Sequence, residues 1–176
     1  ILVGLGRLGM SLAAYLREDC IDLFSRNGIF NKSEIEGRVE VEYEKFIMKV
    51  QIESRVLADI AINHIVPTAV EYQTMLLENV KNLKEVFPEE EFLSLAGGRL
   101  ELIREVGGHI SAIKAKRKEM IAARAKANKA EDVVERSKEY DKEVRPFLDE
   151  IRDHIDRLEL IVDNEKWPLP KYRELL

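Results

Sequence analysis

The residues with the clearest chemical potential stand at the start of the chain. Gly4, Gly6 and Gly9 in "GLGRLG" have the spacing of a dinucleotide-binding turn. That turn needs a strand before it and a helix N-terminus after it, where backbone N–H groups hold a pyrophosphate. Only three residues precede Gly4. Where a second strand ending in an acidic residue should follow, the chain reads "IFNKSEIEG" and enters a helix. The expectation is a glycine-rich connector, with a dinucleotide-binding fragment as the alternative. Three histidines, His64, His109 and His154, raise the question of a metal held inside a helical bundle. Carboxylate-bridged bundles use Glu-x-x-His pairs. Here Glu105 precedes His109, and Glu150 precedes His154, by four positions. With one histidine per helical region, each reads as an ordinary surface or partly buried side chain, and no metal ligand is assigned. Cys20 is the sole cysteine, so neither an intrachain disulfide nor a multi-cysteine metal site can form. No nucleophile elbow or Ser-His-Asp order is present, and no catalytic residue is assigned.

Two further stretches could bind a partner. "KAKRKEMIAARAKANK", Lys114 to Lys129, is basic, but acidic segments flank it and no aromatic is interleaved to stack on a base. It reads as a solvated helix face paired with acidic neighbours. The end of the chain, "WPLPKYRELL", is different. Pro168 and Pro170 fix φ and disfavour helix in the residues before them, which predicts an extended segment near polyproline II. Trp167 and Tyr172 add large apolar faces, each with one polar group. Trp167, Pro168, Pro170 and Tyr172 are the candidate docking residues.

The elements that must position these groups are helical. Hydrophobic residues make up 45% of the chain and charged residues 35%, with few aromatics, the balance of long solvated helices. The formal net charge of −5 gives no overall basic field for nucleic acid or an acidic membrane. No apolar run approaches the roughly 20 residues of a membrane helix, and no signal peptide is recognisable. A reducing, cytoplasmic setting fits best. The chain starts with Ile1, which suggests an excerpt of a longer protein.

Met10 to Glu18 can form a short helix, Asn27-Gly28 is a turn signal, and Ser33 with Glu36 forms a capping box that starts a long helix. Ile35, Val39, Tyr43, Phe46, Ile47 and Val50 open its apolar face. Pro67 predicts a kink or break near Asn63 to Val66. A second helical region spans about Glu89 to Asn128, with a break at Gly97-Gly98 and continuity at Gly107-Gly108. A third spans about Ala130 to Val162, bent or restarted at Pro146. The fold class is therefore all-α: an antiparallel bundle of long helices with an extended C-terminal tail. Residues 1–31 are expected to form a connector and short helix, or part of a preceding domain, 32–162 the bundle and 163–176 the docking tail.

"EYDKEVRPFLDEIRDHIDRLELIVDNEKWPLPKYRELL" resembles the carboxyl end of type III glutamine synthetases, and "DLFSRNGIFNKSEIEGRVEVEYEKFIMKVQIESRVLADIAINHIVPTAVEYQTML" is similar to the segment after the catalytic domain of that family. "NHIVPTAVEYQ" and "WPLPKYRELL" are the most specific parts. The similarity runs from about Ala13 to Leu176, and "ILVGLGRLGM" departs from it. The resemblance implies a parent enzyme that joins ammonia to glutamate with ATP and magnesium or manganese. Its catalytic residues lie in an upstream domain, so none carries over and no cofactor is assigned to this piece. It implies partners in the enzyme's own catalytic domain and in other subunits of a homo-oligomeric ring, with no nucleic acid and no membrane. A free-standing coiled-coil scaffold is a further alternative, opposed by Pro67 and Pro146, which interrupt long heptads.

Overall fold

A computed structural model of the chain describes residues 14–171 and 174. Its helices are α1 (Glu18–Arg26), α2 (Lys32–Ile60), α3 (Val66–Val86), α4 (Glu89–Ala127), α5 (Val133–Glu139) and α6 (Arg145–Ile161). A π-helical turn at Ala61–Ile65 joins α2 to α3, and another at Tyr140–Val144 joins α5 to α6. There is no strand among the described residues, and the fold is all-α as the periodicity predicts. Of the predicted helix at Met10 to Glu18, residues 10–13 lie outside the described residues; the described part is interrupted at Leu16–Arg17, where an extended Arg17 (ψ 144°) precedes the first residue of α1.

The chain divides into two compact units, one of Ile1–Ile52 with Ala123–Arg145, the other of Glu53–Ala122 with Pro146–Leu176. In the first unit, Ile35, Val39 and Tyr43 recur every fourth residue along α2 and are buried. Ile21, Phe24, Phe30, Val133 and Val134 pack on them. The corner between α1 and α2 is turned by Gly28, whose φ of 64° lies in the left-handed region that a side chain disfavours. Helix α2 then starts at Lys32, with its cap two residues before the predicted one. Asn31 Oδ1 accepts from the Glu34 backbone N–H (2.9 Å), and Glu34 Oε2 accepts from the Asn31 N–H (2.8 Å). Asn31 and Glu34 are the capping box in place of Ser33 and Glu36. The apolar staple decides between them: with Asn31 as cap, Phe30 precedes it and packs on the cluster that contains Ile35, the fourth helical residue.

In the second unit, Ile65, Ala69, Val106, Ile113, Met120, Ile151 and Leu158 are fully buried. Val106, Ile113 and Met120 repeat at seven, which keeps one stripe of α4 facing inward. Phe87 and Pro88 alone separate α3 from α4, and the Gln73 amide donates to the Ile103 carbonyl (2.8 Å). A Cβ at Gly107 would stand 3.1 Å from Gln73 Nε2, so glycine there makes room for this crossing. Helices α4 and α6 run antiparallel: His109 meets His154, and further along α4 Lys116 meets the earlier Glu150.

Both proline expectations take one physical form. The Val66 N–H bonds to the Ala61 carbonyl, and the Arg145 N–H to the Tyr140 carbonyl, each five residues back. In each case the next residue is proline, Pro67 or Pro146. The wide turn accommodates the ring that would clash with a carbonyl four residues back, and the helical path continues without a break. At the first site the Thr68 hydroxyl also donates to the His64 carbonyl (2.9 Å).

The break predicted at Gly97-Gly98 is absent, because α4 is continuous from Glu89 to Ala127. A glycine costs about 1 kcal/mol in a helix interior. Buried Ala96 and Val106 on the same helix hold its inner face in place across the pair. Continuity at Gly107-Gly108 is as predicted.

Candidate functional site

The tail leaves α6 at Val162 and is anchored to the second unit. Asp163 forms a turn: its carbonyl accepts from the N–H groups of Lys166 (3.1 Å) and Trp167 (3.0 Å), and its side chain accepts from the Glu165 N–H (3.0 Å). Lys166 Nζ lies 2.7 Å from Glu71 Oε1 on α3, and this hydrogen bond raises the lysine pKa. Trp167 is 7% exposed, so most of its indole is packed. Pro168 and Pro170 are exposed and Tyr172 lies outside the described residues.

The residue that ties the segment down is Lys171, which sequence reasoning missed. It is 5% exposed, and its ammonium donates to the carbonyls of Glu159 (2.5 Å) and Val162 (3.1 Å). The last carbonyls of a helix have no partner within the helix and carry its negative dipole end, so a buried cation there is both bonded and electrostatically favoured. Lys171 Nζ also sits 5.6 Å from the centroid of the Trp167 ring. A lysine between Pro170 and Tyr172 gives no sign of burial in the sequence.

The three histidines separate. His64 is exposed in the first π-helical turn. His109 on α4 and His154 on α6 are half-buried, with Nδ1 atoms 3.0 Å apart and ring centroids 5.2 Å apart. The three are surface or partly buried side chains as expected, and the pairing of His109 with His154 is an addition that the sequence reading did not make. The signal was available: His109 lies three residues after Val106 and four before Ile113, and His154 lies three after Ile151 and four before Leu158, each within a buried stripe. Burial pushes the His109 pKa down, and His154 and Arg157 push the same way, against the carboxylate of Glu105. Among the described residues no three His, Cys, Asp or Glu side chains gather as a metal site.

The basic stretch is paired as predicted. Lys116 Nζ meets Glu150 Oε2 at 2.6 Å, a hydrogen bond that holds its pKa above the usual value, and Lys126 lies 3.9 Å from Glu139. A groove of about 270 Å³ beside α2 is lined by Tyr15, Phe24, Phe30, Ile35 and Val39, with Arg38 and Glu42 at its edge. Both edge charges are engaged, Arg38 over the Phe30 ring (4.2 Å) and Glu42 with Lys45 (2.7 Å). Gly4, Gly6 and Gly9 lie outside the described residues. No described helix is long and apolar enough to cross a membrane.

These features define an all-helical domain whose polar groups serve helix ends and helix crossings. The family model for the glutamine synthetase C-terminal domain matches residues 2–84. A glutamine synthetase of Bacteroides fragilis (strain YCH46) is 56% identical over 148 residues, covering 84% of this chain and 20% of the relative. A type-3 glutamine synthetase of Dictyostelium discoideum is 24% identical over 169 residues, 90% of this chain and 22% of the relative. A glutamine synthetase of Butyrivibrio fibrisolvens is 24% identical over 162 residues, 92% of this chain and 23% of the relative. The chain belongs to the glutamine synthetase family, as a C-terminal domain of the type III form. It spans about a fifth of the length of the curated relatives it matches. Nothing in these comparisons supports a dinucleotide-binding fragment.

Proposed function

We propose that this domain serves structure and subunit assembly in a glutamine synthetase, while the rest of the enzyme joins ammonia to glutamate with ATP and magnesium or manganese. Its partners are then the enzyme's own catalytic domain and other subunits of a homo-oligomeric ring in the bacterial cytoplasm, without nucleic acid or membrane. One observation carries this reading. Val41, Met48 and Ile52 on α2 are 46%, 59% and 56% exposed, and their spacing of seven and four puts them on one helix face. An exposed apolar row of this kind is characteristic of a surface that meets another protein surface. Replacing Met48 and Ile52 by glutamate in the full-length enzyme tests it. The native mass by light scattering is expected to fall to smaller assemblies while helical circular dichroism stays unchanged. An unchanged native mass contradicts the proposal.

A further inference from the structure

We propose that His109 and His154 form a proton-operated latch that holds α6 against α4 in the second unit. Their Nδ1 atoms are 3.0 Å apart with the rings tilted by 55°, so one nitrogen donates and the other accepts. That bond exists when both rings are neutral, given one suitable tautomer. It also exists when one ring is protonated, since the imidazolium then donates. A second proton removes the only acceptor and places two cations in contact. The latch therefore opens at the second protonation, and the lone charges of surface histidines have no equivalent.

The surrounding groups fix the direction. Glu105, one turn back on α4, reaches within 3.9 Å of His109 Nε2, the nitrogen facing away from His154. Arg157 on α6 opposes protonation, as does partial burial. Helix α3 brings the uncharged Gln73 amide to the nearby Ile103 carbonyl. Lys116 and Glu150, two turns further along α4 and one turn back on α6, neutralise each other. His109 thus has a folded pKa below its ordinary value of 6.5. The unfolded or opened chain binds the proton first, so the stabilisation is fully present above the ordinary value and is lost as pH falls below it and through the lower folded pKa. Because Glu105 addresses the opposite nitrogen and no third ligand joins the rings among the described residues, the pair is suited to a proton and not to a metal.

The test is hydrogen–deuterium exchange on the full-length enzyme between about pH 7.5 and about pH 5, the range in which histidine titrates. After correction for intrinsic exchange, peptides covering 103–112 and 150–158 are expected to lose protection by roughly tenfold, the order expected for losing one buried hydrogen bond. In His109→Gln and in His154→Gln the amide still bonds the remaining ring but no cation pair can form, so the pH response of both peptides is expected to flatten. If one variant fails to fold, the other decides. Full protection of the wild type at the acidic end overturns the latch. So does an acid response of equal size in either folded variant, which assigns the effect to other groups.

Discussion

Replacing Trp167 by alanine lowers the stability of the second unit by about 3–5 kcal/mol, the range for truncating a buried tryptophan. The indole is 7% exposed and is held from two directions. Its backbone N–H bonds to the Asp163 carbonyl, and the Lys171 ammonium that lies near its ring caps the end of α6. Losing the ring opens a cavity and exposes that buried charge together, so the effect exceeds simple loss of apolar area. For a chain of this length the melting midpoint should fall by roughly 10 °C. Thermal unfolding followed by helical circular dichroism gives the answer. A shift of a degree or less means that the tail lies loosely on the helices and that the strap is not structural. Alanine at Pro168, which is exposed, serves as the control and should leave the midpoint nearly unchanged.

The second large effect is expected at Tyr140, in the first unit. The ring is fully buried in the π-helical turn ahead of Arg145. Its hydroxyl donates to Asn128 Oδ1 (2.7 Å) and accepts from the Gln51 amide (2.9 Å), which also reaches Asn128 Oδ1 (3.1 Å). This triangle ties α2, the end of α4 and the π turn together. Tyr140→Ala removes both packing and bonds and should cost about 3–5 kcal/mol. Tyr140→Phe keeps the ring and loses the hydroxyl, which should cost about 1–2 kcal/mol because the Asn128 oxygen and the Gln51 amide lose a buried partner. Urea unfolding of the two variants separates the contributions. Equal losses in both would place the whole effect in the hydroxyl, and no loss in Tyr140→Phe would show that water replaces it freely.

The helices were legible because their information is local and periodic. Ile35, Val39 and Tyr43, or Val106, Ile113 and Met120, announce a buried face whatever they pack against. The two prolines were legible as disturbances and not in their form. A proline forbids one hydrogen bond, but whether the chain answers with a break or with a π-helical turn depends on the packing around it, here on fully buried Ile65 and Val144. Gly97-Gly98 misled for the same reason, since a propensity of about 1 kcal/mol per glycine is small beside the burial along α4. The cap at Asn31 required weighing Phe30 and Ile35 together with the capping residues.

The candidate site was less legible. Trp167 stands out in the sequence by its size and its prolines, whereas Lys171 does not, because its burial depends on the free carbonyls of a helix that ends ten residues earlier. His109 and His154 are 45 residues apart, and nothing in either local sequence names the other. Only the shared placement in two apolar stripes hints at the pair, and it becomes decisive once α4 and α6 are known to run side by side.

The assembly account is tested most directly by removing this domain from the full-length enzyme and recording native mass by light scattering together with glutamine formation from glutamate, ammonia and ATP. The account predicts that the shortened enzyme falls to smaller oligomers and loses activity with them. Unchanged native mass with activity lost would contradict it, and would mean that the helical domain reaches the active site or controls it.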